Sequence, residues 1–246
     1  NGTGPFKITF REQDVRTVFE KNNDWWGDHS THNLDQIELL PIKNDATRVA
    51  ALLSGEIDYT NVVPVQDIER IKSSSGHTVK MTPQNRTIFF GMDQGSAELN
   101  SSNIKGKNPF ADKRVRLAMY HALDMDAIKD KVMRGQSVPA GIITAPGVNG
   151  HTPERDQRLP YDPELSKQLL AEAGYPNGEG LPVITYDCPN STVSRQIGEF
   201  FRKNMADIGV KIKVIQNPWP ELQKKITNWF TRFQWKERLE KRIIEI

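Results

Sequence analysis

The sequence predicts an α/β protein built from two units, and three observations carry that expectation. Apolar residues recur in two interleaved periods, alternating over short runs and at helical spacing over longer ones. The helical runs are punctuated by capping residues, Asn44 with Gly55 and Asp162-Pro163 with Gly174. A polar stretch containing Gly, Ser and Asn, from Gln94 to Lys107, breaks the pattern and places a change of unit nearby.

Taken in order, the runs Phe6 to Phe10 and Val15 to Phe19 flank polar residues as a hairpin does, and Leu34 to Ile42 reads as a further strand. Asn44 caps a helix carrying Val49, Leu52 and Leu53, which Gly55 stops; a strand at Ile57 to Thr60 follows. Pro64 opens a helix with Ile68 and Ile71 on one face, and His77 to Met81 and Thr87 to Met92 read as strands. Beyond the loop, Asp112 caps a helix with Val115, Ala118, Met119 and Ala122 on one side, and a shorter helix runs from Asp126 to Met133. Gly- and Pro-rich sequence from Gly135 to Gly150 reads as an ordered loop. A helix opened by Asp162-Pro163 carries Leu165, Leu169 and Leu170. The strand Val183 to Tyr186, a long helix through Ile197, Phe201, Met205 and Ile208, and the strand Val210 to Ile215 complete a second α/β unit.

With 246 residues, length alone leaves one large domain or two smaller ones open. Hydrophobic residues at 37% and charged residues at 26% are a globular balance, so the chain is expected to bury a core. A formal charge of +2 is too small to point to nucleic acid or an anionic membrane. The single Cys188 excludes an internal disulfide and every multi-cysteine metal motif. No apolar run reaches the ~18 residues of a membrane span, and the start has neither the basic nor the apolar region of a signal peptide.

No catalytic motif stands out. The chain lacks a G-x-S-x-G elbow, an H-E-x-x-H pair and a phosphate-binding G-x-x-x-x-G-K-S/T loop. His29 and His32 sit three apart beside Asp28, but no strong third ligand accompanies them, so a polar loop is the better reading and no metal is expected. His121, inside an amphipathic helix, is better explained by hydrogen-bonded packing, and Asp124, Asp126 and Asp130 by capping and solvation. Trp25-Trp26 before a glycine reads as packing under a turn rather than a sugar or base platform.

Several segments, in order, resemble the family 5 solute-binding proteins of ABC importers, which include oligopeptide-, dipeptide-, glutathione- and nickel-binding members. Gly2-Thr3-Gly4-Pro5-Phe6 and Asn22-Asn23-Asp24-Trp25-Trp26-Gly27 are similar to two of the family's turns, and Leu52-Leu53-Ser54-Gly55-Glu56-Ile57-Asp58 to its L-x-x-G-E-I-D ending. The most specific match is Asn108-Pro109-Phe110-Ala111-Asp112-Lys113-Arg114-Val115-Arg116 through Ala122-Leu123-Asp124. Tyr161-Asp162-Pro163 through Ala173-Gly174-Tyr175, Ile208-Gly209-Val210 and Trp219 complete a series reaching about residue 226.

The resemblance implies a two-lobed, periplasmic-binding-protein-like (class II) α/β fold, here truncated at both ends. Residues 1–88 would be the later part of the first lobe, 89–227 the beginning of the second, and 228–246 an atypical tail. It implies no catalysis and no cofactor. A peptide or another small solute would be captured between the lobes and passed to a membrane permease of the ABC type, with nickel chelate, glutathione, opine or sugar as alternative ligands. The protein would be a monomer when full length, periplasmic or anchored outside the membrane as a lipoprotein. Positions resembling pocket-lining ones are Asn61, Phe89, Gly91, Asn190 and Arg195. Against this, Phe89 alternates as a core strand residue does, and Arg195 reads equally as a solvated side chain. The helix from Asp112 itself is expected to serve the second lobe's core and to touch no ligand.

Overall fold

The computed structural model describes residues 3–82, 84–99 and 102–232, the side chains of 228–232 excepted. The chain divides into two compact units between Met81 and Thr82.

In the first unit, strands β1 (Phe6–Glu12), β2 (Arg16–Lys21) and β3 (Gln36–Leu39) form an antiparallel sheet in that order. Phe6 pairs with Lys21 and Glu12 with Arg16, across a bulge between Ile8 and Phe10; Thr17 pairs with Leu39 and Glu20 with Gln36. The expected hairpin is therefore present, closed through Asp14 at positive φ, which a short polar side chain tolerates. Helix α1 (Asp45–Ser54) begins where the Asn44 side chain accepts the Thr47 N–H, and it ends at Gly55, whose φ of 77° suits a residue without Cβ. It buries Val49 and Ala51, and the short α2 (Ile68–Lys72) buries Ile68 and Ile71.

The second unit holds a continuous core. Helix α3 (Lys113–His121) starts where the Asp112 carboxylate accepts the Arg114 N–H, and it buries Val115, Ala118, Met119 and His121. Asp124 caps the short α4 (Met125–Ala127), and a wider turn from Ile128 to Val132 continues it. Helix α5 (Pro163–Glu172) has Asp162 as its cap and proline in its first turn, as the sequence expects. Strand β4 (Ile184–Pro189), helix α6 (Thr192–Asp207) and strand β5 (Ile212–Asn217) make a β-α-β crossover; the two strands run parallel, with Ile184 beside Ile212 and Pro189 beside Asn217. Helix α6 presents Ile197, Phe201, Met205 and, just past its end, Ile208 to this core. Helix α7 (Trp219–Arg232) enters the segment set apart as an atypical tail; residues 233–246 lie outside the described residues.

The family-like stretch from Asn108 to Asp124 is structural in each of its polar contacts. Asn108 accepts the Phe110 N–H and donates to the carbonyls of Asp93 and Ser96, both at 2.8 Å. Arg114 grips Asp112 at 2.6 Å and donates to the Glu172 carbonyl at the end of α5. Arg116 donates to the Phe110 carbonyl, and the Asn204 side chain in α6 accepts the Asp124 N–H. His121 is buried with Nδ1 2.8 Å from the Pro160 carbonyl, the hydrogen-bonded packing role expected of it.

Three expected strands do not form. Residues 57–60, 77–81 and 87–92 are extended in part but have no ladder, because alternation in sequence does not supply the neighbouring strand that a ladder needs. The 94–107 stretch, expected near a change of unit, lies inside the second one: Asn103 accepts the Val183 N–H, and Lys107 donates to the Gly180 carbonyl.

Candidate functional site

Although it lacks a ladder, the 87–92 segment keeps two faces. Phe90 and Met92 pack against the core, Phe90 stacking on Phe201 at 4.5 Å between ring centroids and lying 5.2 Å from Tyr186. Burial first, and the neighbouring Cys188 second, push the Tyr186 hydroxyl up to about 12, so it stays protonated against these rings. Alternation then turns Thr87, Phe89 and Gly91 the other way. Phe89 is 61% exposed, which decides between its two readings: it is not a core residue of this unit. A Cβ built on Gly91 would sit 3.9 Å from the Phe89 ring edge, so the glycine leaves open space beside that ring. The Thr87 hydroxyl donates to the Ile143 carbonyl at 2.7 Å, tying this face to the Gly- and Pro-rich loop.

A second group lies at the carboxyl ends of β4 and β5, where parallel α/β sheets collect ligands. The Asn190 N–H donates to the Asn217 carbonyl, and the Ser191 hydroxyl accepts the Ser194 N–H to cap α6. The buried Asn217 donates to Asp187 at 2.9 Å, and Lys225 of α7 donates to both, at 2.6 and 2.9 Å. Asn190 itself is exposed, one residue before the cap. Arg195 is exposed one turn into α6, bordering a shallow depression with Glu199, Arg202 and Lys203. Cys188 is buried between these groups, and burial raises its thiol, which keeps it from acting as a thiolate.

Asn61 belongs to the first unit. It sits on an exposed turn between Tyr59 and Val62, which are 78% and 59% exposed. Arg48 of α1 holds that turn, donating to the carbonyls of Ile42 and Val62 while paired to Asp45. Trp25 and Trp26 divide their roles. Trp25 lies against His29 and His32, whereas Trp26 is 83% exposed, so only the first packs under the turn. His29 Nε2 faces the Trp25 carbonyl at 2.8 Å, and His32 lies 4.9 Å from the Phe6 ring. Among the described residues no group of three or more His, Cys, Asp or Glu is placed to hold a metal, and no helix is long and apolar enough to cross a membrane.

Sequence reasoning did not find Thr87, Ile143, Asp187, Asn217 or Lys225. The first two lie 56 positions apart and carry no joint signal, and the last three meet only because β4, β5 and α7 come together.

The fold and these faces are those of a solute-binding protein. The family model for bacterial extracellular solute-binding proteins, family 5 middle, matches residues 1–238, and the chain belongs to that family. That match runs past Ile226, so the family pattern extends into the tail that the sequence reading set apart. The chain is 30% identical over 229 residues to heme-binding protein A of Haemophilus influenzae, covering 91% of this chain and 39% of that protein. It is 26% identical over 226 residues to the dipeptide-binding protein of Escherichia coli, covering 91% and 40% respectively. Among solved structures it is similar to the periplasmic binding protein DppA of Helicobacter pylori in complex with the peptide STSA, with a TM-score of 0.67, 26% identity, and coverage of 91% of this chain and 40% of that one. The chain thus spans about two fifths of the length of these relatives and carries part of the periplasmic-binding-protein fold.

Proposed function

We propose that this chain is part of an extracytoplasmic solute-binding subunit of an ABC importer, one that captures a peptide or similar small solute and delivers it to a membrane permease. The observation that carries this reading is the outward face of the 87–92 segment, an exposed phenylalanine beside a glycine on a strand-like stretch anchored through Phe90. Soluble proteins seldom fix a large apolar ring toward solvent without a use for it. Asn61, Phe89, Gly91, Asn190 and Arg195 are the ligand-lining residues of the proposal, with Phe89 and Gly91 sharing one face and Asn190 preceding the cap of the helix that carries Arg195. Binding rather than catalysis is proposed; the buried Cys188 thiol and the protonated Tyr186 offer no nucleophile. The proposal places the protein in the periplasm, free or anchored as a lipoprotein, acting as a monomer.

A thermal-shift panel on the full chain tests the ligand class, with a dipeptide mixture, glutathione, hemin and a nickel chelate as probes. A ligand that binds only the folded state raises the melting temperature by mass action. The dipeptides are expected to raise it most. A rise with hemin or glutathione alone overturns the peptide reading, and turnover of a peptide substrate overturns the binding reading.

A further inference from the structure

We infer that Ile143 is a second apolar wall of the solute site, beside Phe89, so that the captured peptide is one carrying an apolar side chain. This rests on the reading of the chain as a peptide-binding protein. The backbone around Ile143 is fixed on both sides. Asp156 accepts the N–H groups of Gly141 and Ile142, and its other oxygen faces His151 Nε2 at 3.1 Å. At Gly141 the two limbs of the loop meet backbone to backbone, since a Cβ there would lie 2.8 Å from the Gln157 carbonyl carbon and oxygen. From the opposite side, the Thr87 hydroxyl holds the Ile143 carbonyl.

These contacts satisfy the polar groups and leave the Ile143 side chain 65% exposed. Thr87 and Phe89 lie two residues apart on one side of an extended stretch, so the ring and the Ile143 loop flank a single hydrogen bond. Two exposed apolar groups held at fixed points, next to a glycine that adds no side chain, make a preorganised apolar surface. Preorganisation removes the ordering cost that a flexible loop would charge against binding. Ile143 supplies no hydrogen bond of its own side chain, so it selects by size and apolarity.

Isothermal titration of the full chain with Leu-Leu and with Ala-Ala tests this. Wild type is expected to prefer Leu-Leu. Ile143→Ser is expected to weaken Leu-Leu roughly tenfold, in line with the discrimination available from a few methylenes, and to leave Ala-Ala within about twofold. Ile143→Leu should restore the preference, and circular dichroism of each variant reads whether the fold is kept. Equal binding of both peptides by wild type, or an equal loss of both in Ile143→Ser, overturns the role of Ile143 while peptide binding stands. Binding of neither peptide by wild type overturns the peptide reading itself.

Discussion

Replacing Phe90 and Phe89 separately by alanine asks the structure which face of the 87–92 segment belongs to the core. Phe90 is half-buried, stacked on the buried Phe201 at 4.5 Å and 5.2 Å from Tyr186. Removing a core phenylalanine costs about 3–5 kcal/mol when the site is closed. Partial exposure brings Phe90→Ala to the lower end, about 2–3 kcal/mol, including the lost stacking. A unit of this size loses about 2–4 °C per kcal/mol, so the melting temperature should fall by roughly 4–12 °C. Phe89, 61% exposed, touches chiefly the space over Gly91. Its replacement should change stability by no more than about 0.5 kcal/mol, as surface substitutions do. Urea and thermal unfolding followed by circular dichroism measure both variants. An equal loss in the two, or a larger loss in Phe89→Ala, would refute the assignment of the faces and with it the outward ring.

Two further predictions concern the scaffold. Asp112 is held below its ordinary value of 3.8, first by its hydrogen bond to Arg114, and Asp156 likewise, first by His151. A carboxyl depressed in the folded state stabilises above 3.8 and loses that contribution as pH falls toward its folded value. Acid unfolding should therefore steepen below that point, and Asp112→Asn with Asp156→Asn should flatten the pH dependence; an unchanged slope would count against both contacts. Gly209 has a φ of 82°, and a Cβ there would overlap the Asn177 carbonyl, so Gly209→Ala should cost more than the ~1–3 kcal/mol of backbone strain alone. A variant as stable as wild type in urea would contradict the close approach of the two loops.

Local chemistry made most of the scaffold legible. Asn44, Asp112 and Asp162 cap the helices they were expected to cap, and Gly55 stops its helix, because capping depends on the residue and its next few neighbours. The βαβ order of β4, α6 and β5 followed from the switch of period between 2 and 3.6. Strands at 57–60, 77–81 and 87–92 were misread because a ladder depends on a partner far away in sequence. The site was legible only in part, through likeness to family positions. Phe89 and Gly91 share a face as alternation requires, but nothing near Ile143 in sequence announces that Thr87 and Asp156 hold it. Such contacts are set by tertiary closure, to which residue spacing is blind.

The most direct test of solute capture is native mass spectrometry of the protein recovered from its natural host without exchange into denaturant. The account predicts a noncovalent adduct that gentle activation releases as a peptide bearing an apolar side chain. Protein recovered only at its bare mass across gentle conditions, or carrying a heme or glutathione mass instead, would contradict it.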